Sequence, residues 1–411
     1  MGSTKSAFDL STCARPNILK LEPYRCARDD YKDDGTNILL DANENAYGSG
    51  LDLAAASSLN RYPDPHQNEL KQLLCSLRNT HTHTSKTLTP ANLFVGVGSD
   101  EAIDALLRCF CTPSVDKILT CPPTYGMYTV SAQVNDIAVV KVPLTSDTLT
   151  LDVPAIKSAL SADKHIKLAY LCSPGNPTGA LLKKDDIKAI LEHDWNGVVV
   201  VDEAYVDFAE DGTSLAEWVT EWPNLVVMQT LSKAFGLASI RLGVAFADPA
   251  VARLLNSLKA PYNVSTPTSV LAIQALEPAA LEGMRATRAK LVAQRDRLVK
   301  ELPRIEGVGR FRGGFSANFL LVEMLDRPGG KPSNEVALQA YEGLAEERGV
   351  VVRFRGKEQW CEGCLRITVG TEAEVDRFLK ELQSTLKNVF AKKAAVPDAE
   401  KKEEEANNIV S

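Results

Sequence analysis

The chain has 411 residues, too many for one compact core, so two or three domains are expected. Its 45% hydrophobic and 24% charged residues are ordinary for a globular protein, and a formal charge of −7 excludes the basic footprint of a nucleic-acid binder. No apolar stretch is long enough to span a bilayer, and Met1 to Leu10 lacks the apolar core of a secretory signal, so a soluble, cytoplasmic protein is expected.

The first fifty residues are turn-rich and contain Pro23-Tyr24 and Leu40-Asp41-Ala42-Asn43-Glu44-Asn45. Leucines at 70, 73, 74 and 77 predict a helix from Asn68 through Leu77. Val95-Gly96-Val97-Gly98-Ser99-Asp100-Glu101 then opens a second helix carrying Ile103, Leu106, Leu107 and Phe110. Short apolar strands are expected at Ile118 to Cys121, Leu168 to Cys172, Val198 to Val201 and Leu225 to Met228, with a helix over Ile187 to Leu191 between two of them. Continuous apolar strands alternating with helices mean a parallel sheet covered on both faces. A long amphipathic helix follows across Leu281, Met284, Leu291, Leu298 and Leu302. After it, Asn318 to Val322, Val350 to Val352 and Leu365 to Val369 read as strands of a smaller domain. In the last of these, Leu365, Ile367 and Val369 share one face, and Arg366 and Thr368 the other.

The fold class is therefore α/β. A large domain with a mixed, mostly parallel sheet under helices is joined to a smaller α+β domain. The divisions are an arm over 1–50 packing with the small domain, a large domain over 51–275, a small domain over 276–390, and a charged tail over 391–411. The tail, with Lys401-Lys402-Glu403-Glu404-Glu405, reads as solvated or disordered with transient helix. Nine cysteines in no framework pattern read as reduced thiols. Cys361 and Cys364 would be half of a zinc site, but no second pair completes it, so no metal is expected.

The chemical motifs of the large domain follow expected strands, and an open parallel sheet binds ligands at the carboxyl ends of its strands. Lys233 sits in Thr230-Leu231-Ser232-Lys233-Ala234-Phe235-Gly236, with Arg241 close behind. Asp202 ends a run of valines and opens Asp202-Glu203-Ala204-Tyr205. Asn176 lies in Ser173-Pro174-Gly175-Asn176-Pro177-Thr178-Gly179. A lysine among hydroxyls with an arginine behind it, and an aspartate at a strand end, suits pyridoxal 5′-phosphate. The lysine forms the Schiff base and moves the proton between Cα and C4′; the aspartate partners the pyridinium nitrogen. Asp202 also reads as a helix cap, and Asn176-Pro177-Thr178-Gly179 as a turn. Tyr205 points at the ring's 3′-oxygen together with Asn176, or else packs in the core. Gly98, Ser99 and Asp100 open a helix whose free amides favour a phosphate, and Thr230, Ser232 and Arg241 would complete the cup. Arg241 also reads as a surface ion pair. Tyr125 stacks on the cofactor ring or packs in the core.

These residues resemble fold-type I aminotransferases. With Arg61-Tyr62-Pro63-Asp64, Pro123-Thr124-Tyr125-Gly126-Met127-Tyr128 and Leu365-Arg366-Ile367-Thr368, the chain from about Leu21 to about Phe390 is more narrowly similar to the histidinol-phosphate aminotransferase family. The resemblance implies transfer of an amino group between L-histidinol phosphate and 2-oxoglutarate, in histidine biosynthesis, by a homodimer. It implies Lys233 as the Schiff-base lysine, Asp202 as the pyridinium partner, Asn176 and Tyr205 as 3′-oxygen ligands and Tyr125 as the stacking ring. Tyr62 would reach the cofactor phosphate of the neighbouring subunit. Arg353 and Arg366 would hold the substrate's phosphate, Arg366 would also take glutamate's carboxylate, and Tyr24 and Asn43 would line the substrate side. Two departures stand out. Ser239 replaces a glycine of the family's pattern ahead of Arg241, and Arg353 is followed by a second arginine, Arg355. Other activities of the fold, an aromatic amino-acid aminotransferase or a threonine-phosphate decarboxylase, would use the same cofactor residues. A cofactor-binding regulatory protein is the non-enzymatic alternative.

Overall fold

The computed structural model describes residues 6–26, 29, 42–45 and 59–409, and from residue 394 onward the backbone alone. Much of the expected N-terminal arm, residues 1–5, 27–28, 30–41 and 46–50, therefore lies outside the described residues, as do 51–58.

A seven-stranded sheet forms the larger unit. Its strands are Leu93–Val97 (β1), Lys117–Thr120 (β2), Ala138–Lys141 (β3), Ile166–Cys172 (β4), Val198–Asp202 (β5), Leu225–Thr230 (β6) and Leu242–Phe246 (β7). They lie in the order β1-β7-β6-β5-β4-β2-β3. β3, β2, β4, β5 and β6 pair in parallel, while β7 is antiparallel to both β6 and β1. The valine run of β5 shows why the strand is central. Val199 and Val201 enter the core on one face, and Val198 and Val200 the core on the other. A period of two with both faces apolar suits a strand covered on both sides. Each of the four valines is fully buried, and burial of one valine contributes on the order of 1.5 kcal/mol.

The smaller sheet holds Val308–Phe311 (β8), Phe319–Met324 (β9), Arg353–Phe354 (β10) and Cys364–Thr368 (β11), in the order β10-β11-β9-β8 and antiparallel throughout. Leu320, Val322, Leu365 and Ile367 meet the helices Asn334–Arg348 and Glu372–Ile409 in one core. The 24-residue helix Pro278–Glu301 leads from one sheet to the other.

The structure departs from the expected elements at several places. β1, β3, β7 and β8 were not anticipated; the first and third are interrupted by Gly96 and Gly243. β6 runs on to Thr230 because Gln229 and Thr230 pair with Val244 and Gly243 of β7. Val350 to Val352 are not a strand. Gly349 ends the preceding helix in the left-handed region at φ 61°, and pairing with β11 begins only at Arg353. The described part of the arm packs on the large sheet, not the small one: Cys13, Ala14 and Ile18 join Phe94, Ile103 and Tyr170 in one core. At the other end, the last helix continues to Ile409, as suits an alanine-, lysine- and glutamate-rich stretch.

The two units meet along a line of glycines. Gly314 N donates to Thr178 O (3.0 Å) and Ser316 N to Gly179 O (2.9 Å). A Cβ on Gly313 would lie 2.2 Å from Thr178 O, and one on Gly179 2.7 Å from Gly314 O. Both glycines also have positive φ, +80° and +63°, so no other residue suits either position.

Candidate active site

β1, β2, β4, β5 and β6 point their carboxyl ends at one edge of the large sheet, and antiparallel β7 presents its start there. That edge holds a cavity of about 160 Å3, lined by Asp202, Asn176, Tyr125, Tyr205 and Lys233 among others. Residues from five separate segments of the chain thus meet at the carboxyl edge, the place where open sheets bind ligands.

Asp202 is the last residue of β5 and only 3% exposed. Tyr128 Oη donates to its Oδ2 at 2.6 Å, and Ala204 N donates to its Oδ1 at 3.1 Å. Both partners are neutral. Burial raises the carboxyl above its ordinary value, against the pull of these two hydrogen bonds. A cation entering the cavity would relieve that cost. The neighbouring Glu203 points the other way, into a closed network. Ser214 Oγ, Leu215 N and Gln229 Nε2 donate to it at 2.7, 2.7 and 2.8 Å. Gln229 Oε1 accepts from Arg78, whose guanidinium forks onto Asp207 at 2.9 Å on both prongs. The segment carrying Ala204 and Tyr205 is thereby tied down on either side.

An anion cradle lies beside this carboxylate. The helix Gly98–Phe110 starts at the end of β1 with no side-chain cap; Gly98 N donates to Arg241 O at 2.9 Å, and the amides of Ser99 and Asp100 that follow it are left for a ligand. Ser99, Asp100, Thr230, Ser232 and Arg241 line the same cavity. Thr230 Oγ1 donates to Leu242 O at 2.8 Å, and Ser232 N donates to Thr230 Oγ1 at 3.1 Å, which fixes the hydroxyl pair. Arg241, itself left-handed at φ 54°, places its Nη2 3.6 Å from Asp100 Oδ2. Glycines make the cradle possible. A Cβ on Gly98 would lie 2.6 Å from Arg241 Nη2, and one on Gly243 2.2 Å from Ser99 N.

Lys233 follows β6 and is solvent-exposed. Its Nζ lies 5.6 Å from the centre of the Tyr205 ring. Partial desolvation, with the guanidiniums of Arg366 and Arg241, holds its ammonium below the ordinary lysine value. Tyr205 is buried, packs edge-on to Phe319 at 5.0 Å, and has its phenol pushed up to about 12 by burial. Tyr125 Oη donates to Asp100 Oδ1 at 3.2 Å, which aligns its ring at the cavity wall.

The small sheet contributes cations. Arg366 on β11 donates through Nη1 to Asn176 Oδ1 at 2.7 Å and sits 5.3 Å over the Phe319 ring. Its Nε is buried without a hydrogen-bond partner. Arg353 on β10 stands directly across from Arg366 in the ladder, so the two share a face. Arg355 is held by Glu358 at 2.6 Å. Burial, then Arg355, pull the Arg366 guanidinium below its ordinary value.

Three expected site residues gather elsewhere. Tyr62 stacks on Tyr262 at 4.5 Å, and Tyr24 meets Tyr262 edge-on at 5.5 Å. Asn43 and Tyr62 line a second, larger cavity of about 590 Å3 with Tyr262. Tyr24 and Tyr62 are 42% and 51% exposed. Sequence reasoning missed Tyr128 and Cys172. Tyr128 was legible only as part of a motif, although its spacing of three from Tyr125 puts both rings on one side of a helical turn.

Residues 27–382 match the family model described as aminotransferase class I and II. The chain is similar to the histidinol-phosphate aminotransferase of Schizosaccharomyces pombe, with 55% identity over 94% of this chain and 100% of the relative. It is 49% identical to that of Saccharomyces cerevisiae, over 92% of this chain and 98% of the relative. Among solved structures it resembles histidinol-phosphate aminotransferase from Sinorhizobium meliloti in complex with pyridoxal-5′-phosphate. There the TM-score is 0.71 and the identity 23%, over 82% of this chain and 85% of that one. At that identity the likeness bears on the fold alone.

Proposed function

Because the chain belongs to the aminotransferase class I and II family, and within it to the histidinol-phosphate aminotransferases, we propose that it moves an amino group between L-histidinol phosphate and 2-oxoglutarate with pyridoxal 5′-phosphate as cofactor. In the biosynthetic direction the substrates are imidazole acetol phosphate and glutamate. The observation that carries the reading is the buried Asp202 carboxylate, held by neutral donors alone, in one cavity with Lys233 and an anion cradle. The donor set fits the cofactor. A carboxylate that burial makes costly suits a cationic ring nitrogen. An uncapped helix start with Ser99, Thr230, Ser232 and Arg241 suits a phosphate monoester, and the glycines at 98 and 243 leave room for it.

When bound, pyridoxal phosphate supplies an aldehyde that condenses with primary amines and a ring that withdraws electrons. Lys233 Nζ would anchor it and, as a free amine, would move the proton at the substrate Cα. Its lowered affinity for protons supports both roles. Asp202 would hold the proton on the ring nitrogen. Asn176 and Tyr205 would hydrogen-bond the ring's 3′-oxygen, and Tyr125 would cover its face. Arg366, with Arg353 beside it, binds the anionic end of the substrate. An arginine fork fits phosphate and carboxylate oxygens alike, so one group serves both half-reactions.

The reading includes a homodimer. The exposure of Tyr62 supports it, because that side chain then reaches the neighbouring subunit's cofactor phosphate. Tyr24 and Asn43 line the substrate side in the same assembly. A cytoplasmic location belongs to the same reading and is supported by nine free cysteines.

The test is a half-reaction. The cofactor-loaded protein is mixed with L-histidinol phosphate while the visible absorbance of the cofactor is followed. Rapid conversion to the amine form, reversed by 2-oxoglutarate, is expected. Conversion by phenylalanine or tyrosine but not by histidinol phosphate would discard the substrate and keep the aminotransferase. No conversion by any amine, with cofactor bound, would sink the catalytic reading.

A further inference from the structure

Tyr128 has no part in the roles assigned so far, yet it makes the shortest hydrogen bond to Asp202. Resting on the function proposed above, we propose that Tyr128 is a positioning residue. It holds the Asp202 carboxylate in its anionic form and thereby keeps a proton on the ring nitrogen of the bound cofactor.

A carboxylate 3% exposed loses its hydration, and its neutral form gains. Facing a ring nitrogen, it would then take the proton instead of leaving it on the ring. Two donors oppose this, and the Tyr128 bond is the shorter, 2.6 Å against 3.1 Å for Ala204 N. An O–H···O contact of that length is typical of a charge-assisted bond. The other charged groups around Asp202 pull in both directions, since Asp100 disfavours its anion and Lys233 favours it. Cys172, in register with Asp202 on the adjacent β4, lies against the same phenol. Tyr125, the neighbouring tyrosine on this turn, serves Asp100 instead.

Tyr128 is also rigidly set. It is fully buried on the helix Met127–Val134. Its ring stacks on Tyr170 at 4.6 Å and meets Tyr125 edge-on at 5.5 Å. Burial, and then Asp202, hold its phenol well above the ordinary tyrosine value. It therefore donates its proton in a hydrogen bond and does not lose it.

The test compares wild type with Tyr128→Phe, which keeps the stack and removes the hydroxyl. Tyr170→Phe, which removes the neighbouring hydroxyl, is the control. In the full chain without cofactor, the Asp202 carboxyl is titrated by carbon NMR and assigned with Asp202→Asn. Tyr128→Phe is expected to raise its midpoint by about one pH unit, a factor of about ten in proton affinity. With ring-15N pyridoxal phosphate bound, the nitrogen resonance should move toward its unprotonated position, and kcat should fall about tenfold with little change in KM. Tyr170→Phe should change none of these. A carboxyl midpoint that does not move in folded Tyr128→Phe overturns the proposal. If Tyr128→Phe does not fold, a fluorinated tyrosine at position 128, a stronger donor of the same shape, should lower the midpoint, and an unmoved or raised midpoint overturns the proposal. A wild-type chain that takes up no pyridoxal phosphate would overturn the catalytic reading and the ring-nitrogen role. The carboxyl titration would still decide what Tyr128 does to Asp202.

Discussion

Lys233 is a cation beside two cations. Partial desolvation, Arg366 and Arg241 all lower its hold on a proton. More free amine is therefore present at neutral pH than an ordinary lysine provides. Uptake of pyridoxal phosphate by the cofactor-free chain, followed by absorbance, should therefore rise with pH with a midpoint below that of an ordinary lysine. Replacing Arg366 by Gln should shift that profile upward. Lys233→Ala should keep its circular dichroism and melting temperature and lose turnover by at least about a hundredfold; retained turnover would exclude Lys233 from the chemistry. That Lys233, Asp202 and Asn176 line one cavity was foreshadowed in the sequence, because each comes at or after the end of a short apolar run bounded by turn residues. The bond from Tyr128 to Asp202 was not legible. It spans 74 residues, and nothing in a Tyr-Gly-Met-Tyr turn says which of its two hydroxyls meets an acid on the middle strand.

At the level of elements, β7 decides how closely the anion cradle closes. Its Gly243 lies against the first turn of the Gly98–Phe110 helix, where a Cβ would come within 2.2 Å of Gly98 C and Ser99 N. Backbone atoms cannot step aside as a side chain does. Gly243→Ala should cost about 1–3 kcal/mol in urea unfolding and weaken pyridoxal phosphate binding as well. A loss of stability with unchanged cofactor affinity would show that the cradle does not depend on this contact. β7 also shows why some strands could be read and others could not. β4, β5 and β6 are long apolar runs buried on both faces, and their parallel pairing was legible from that alone. β1 and β7 each carry a glycine where the backbone approaches a neighbour, so their composition resembles a turn. Val350 to Val352 had strand composition without a partner, and Val351 is 78% exposed. Apolar, β-branched sequence makes a strand only where an edge is available to pair with.

For the molecule as a whole, two sheets with separate cores were legible from the change in pattern after the long helix. The way the first residues pack was not, because Cys13 and Ile18 are too few to declare a face. The C-terminal helix contributes to the small core through Leu382, Leu386 and Val389. Beyond Phe390 the described contact is the ion pair between Lys393 and Glu335 at 2.8 Å, and exposed pairs of this kind contribute little, about 0–1 kcal/mol. A chain ending at Lys393 should therefore keep its activity and its melting temperature. A large loss of either would make the last eighteen residues structural.

The line of glycines between the two units also limits how they can move. At Thr178, Gly179, Gly313 and Gly314 the contact is main chain against main chain, stitched by two backbone hydrogen bonds. Sliding one unit past the other would break both stitches and drive carbonyls into peptide planes. Rotation about the line breaks neither. A swing of the small sheet would then be that of a door on its jamb, with the glycines as the pin, and it would have to release the latch that Trp360 Nε1 makes to Leu144 O at 2.9 Å. Arg312, next to Gly313, and Arg366, tethered to Asn176, lie on the side of that pin, whereas Arg353 stands on the edge strand β10.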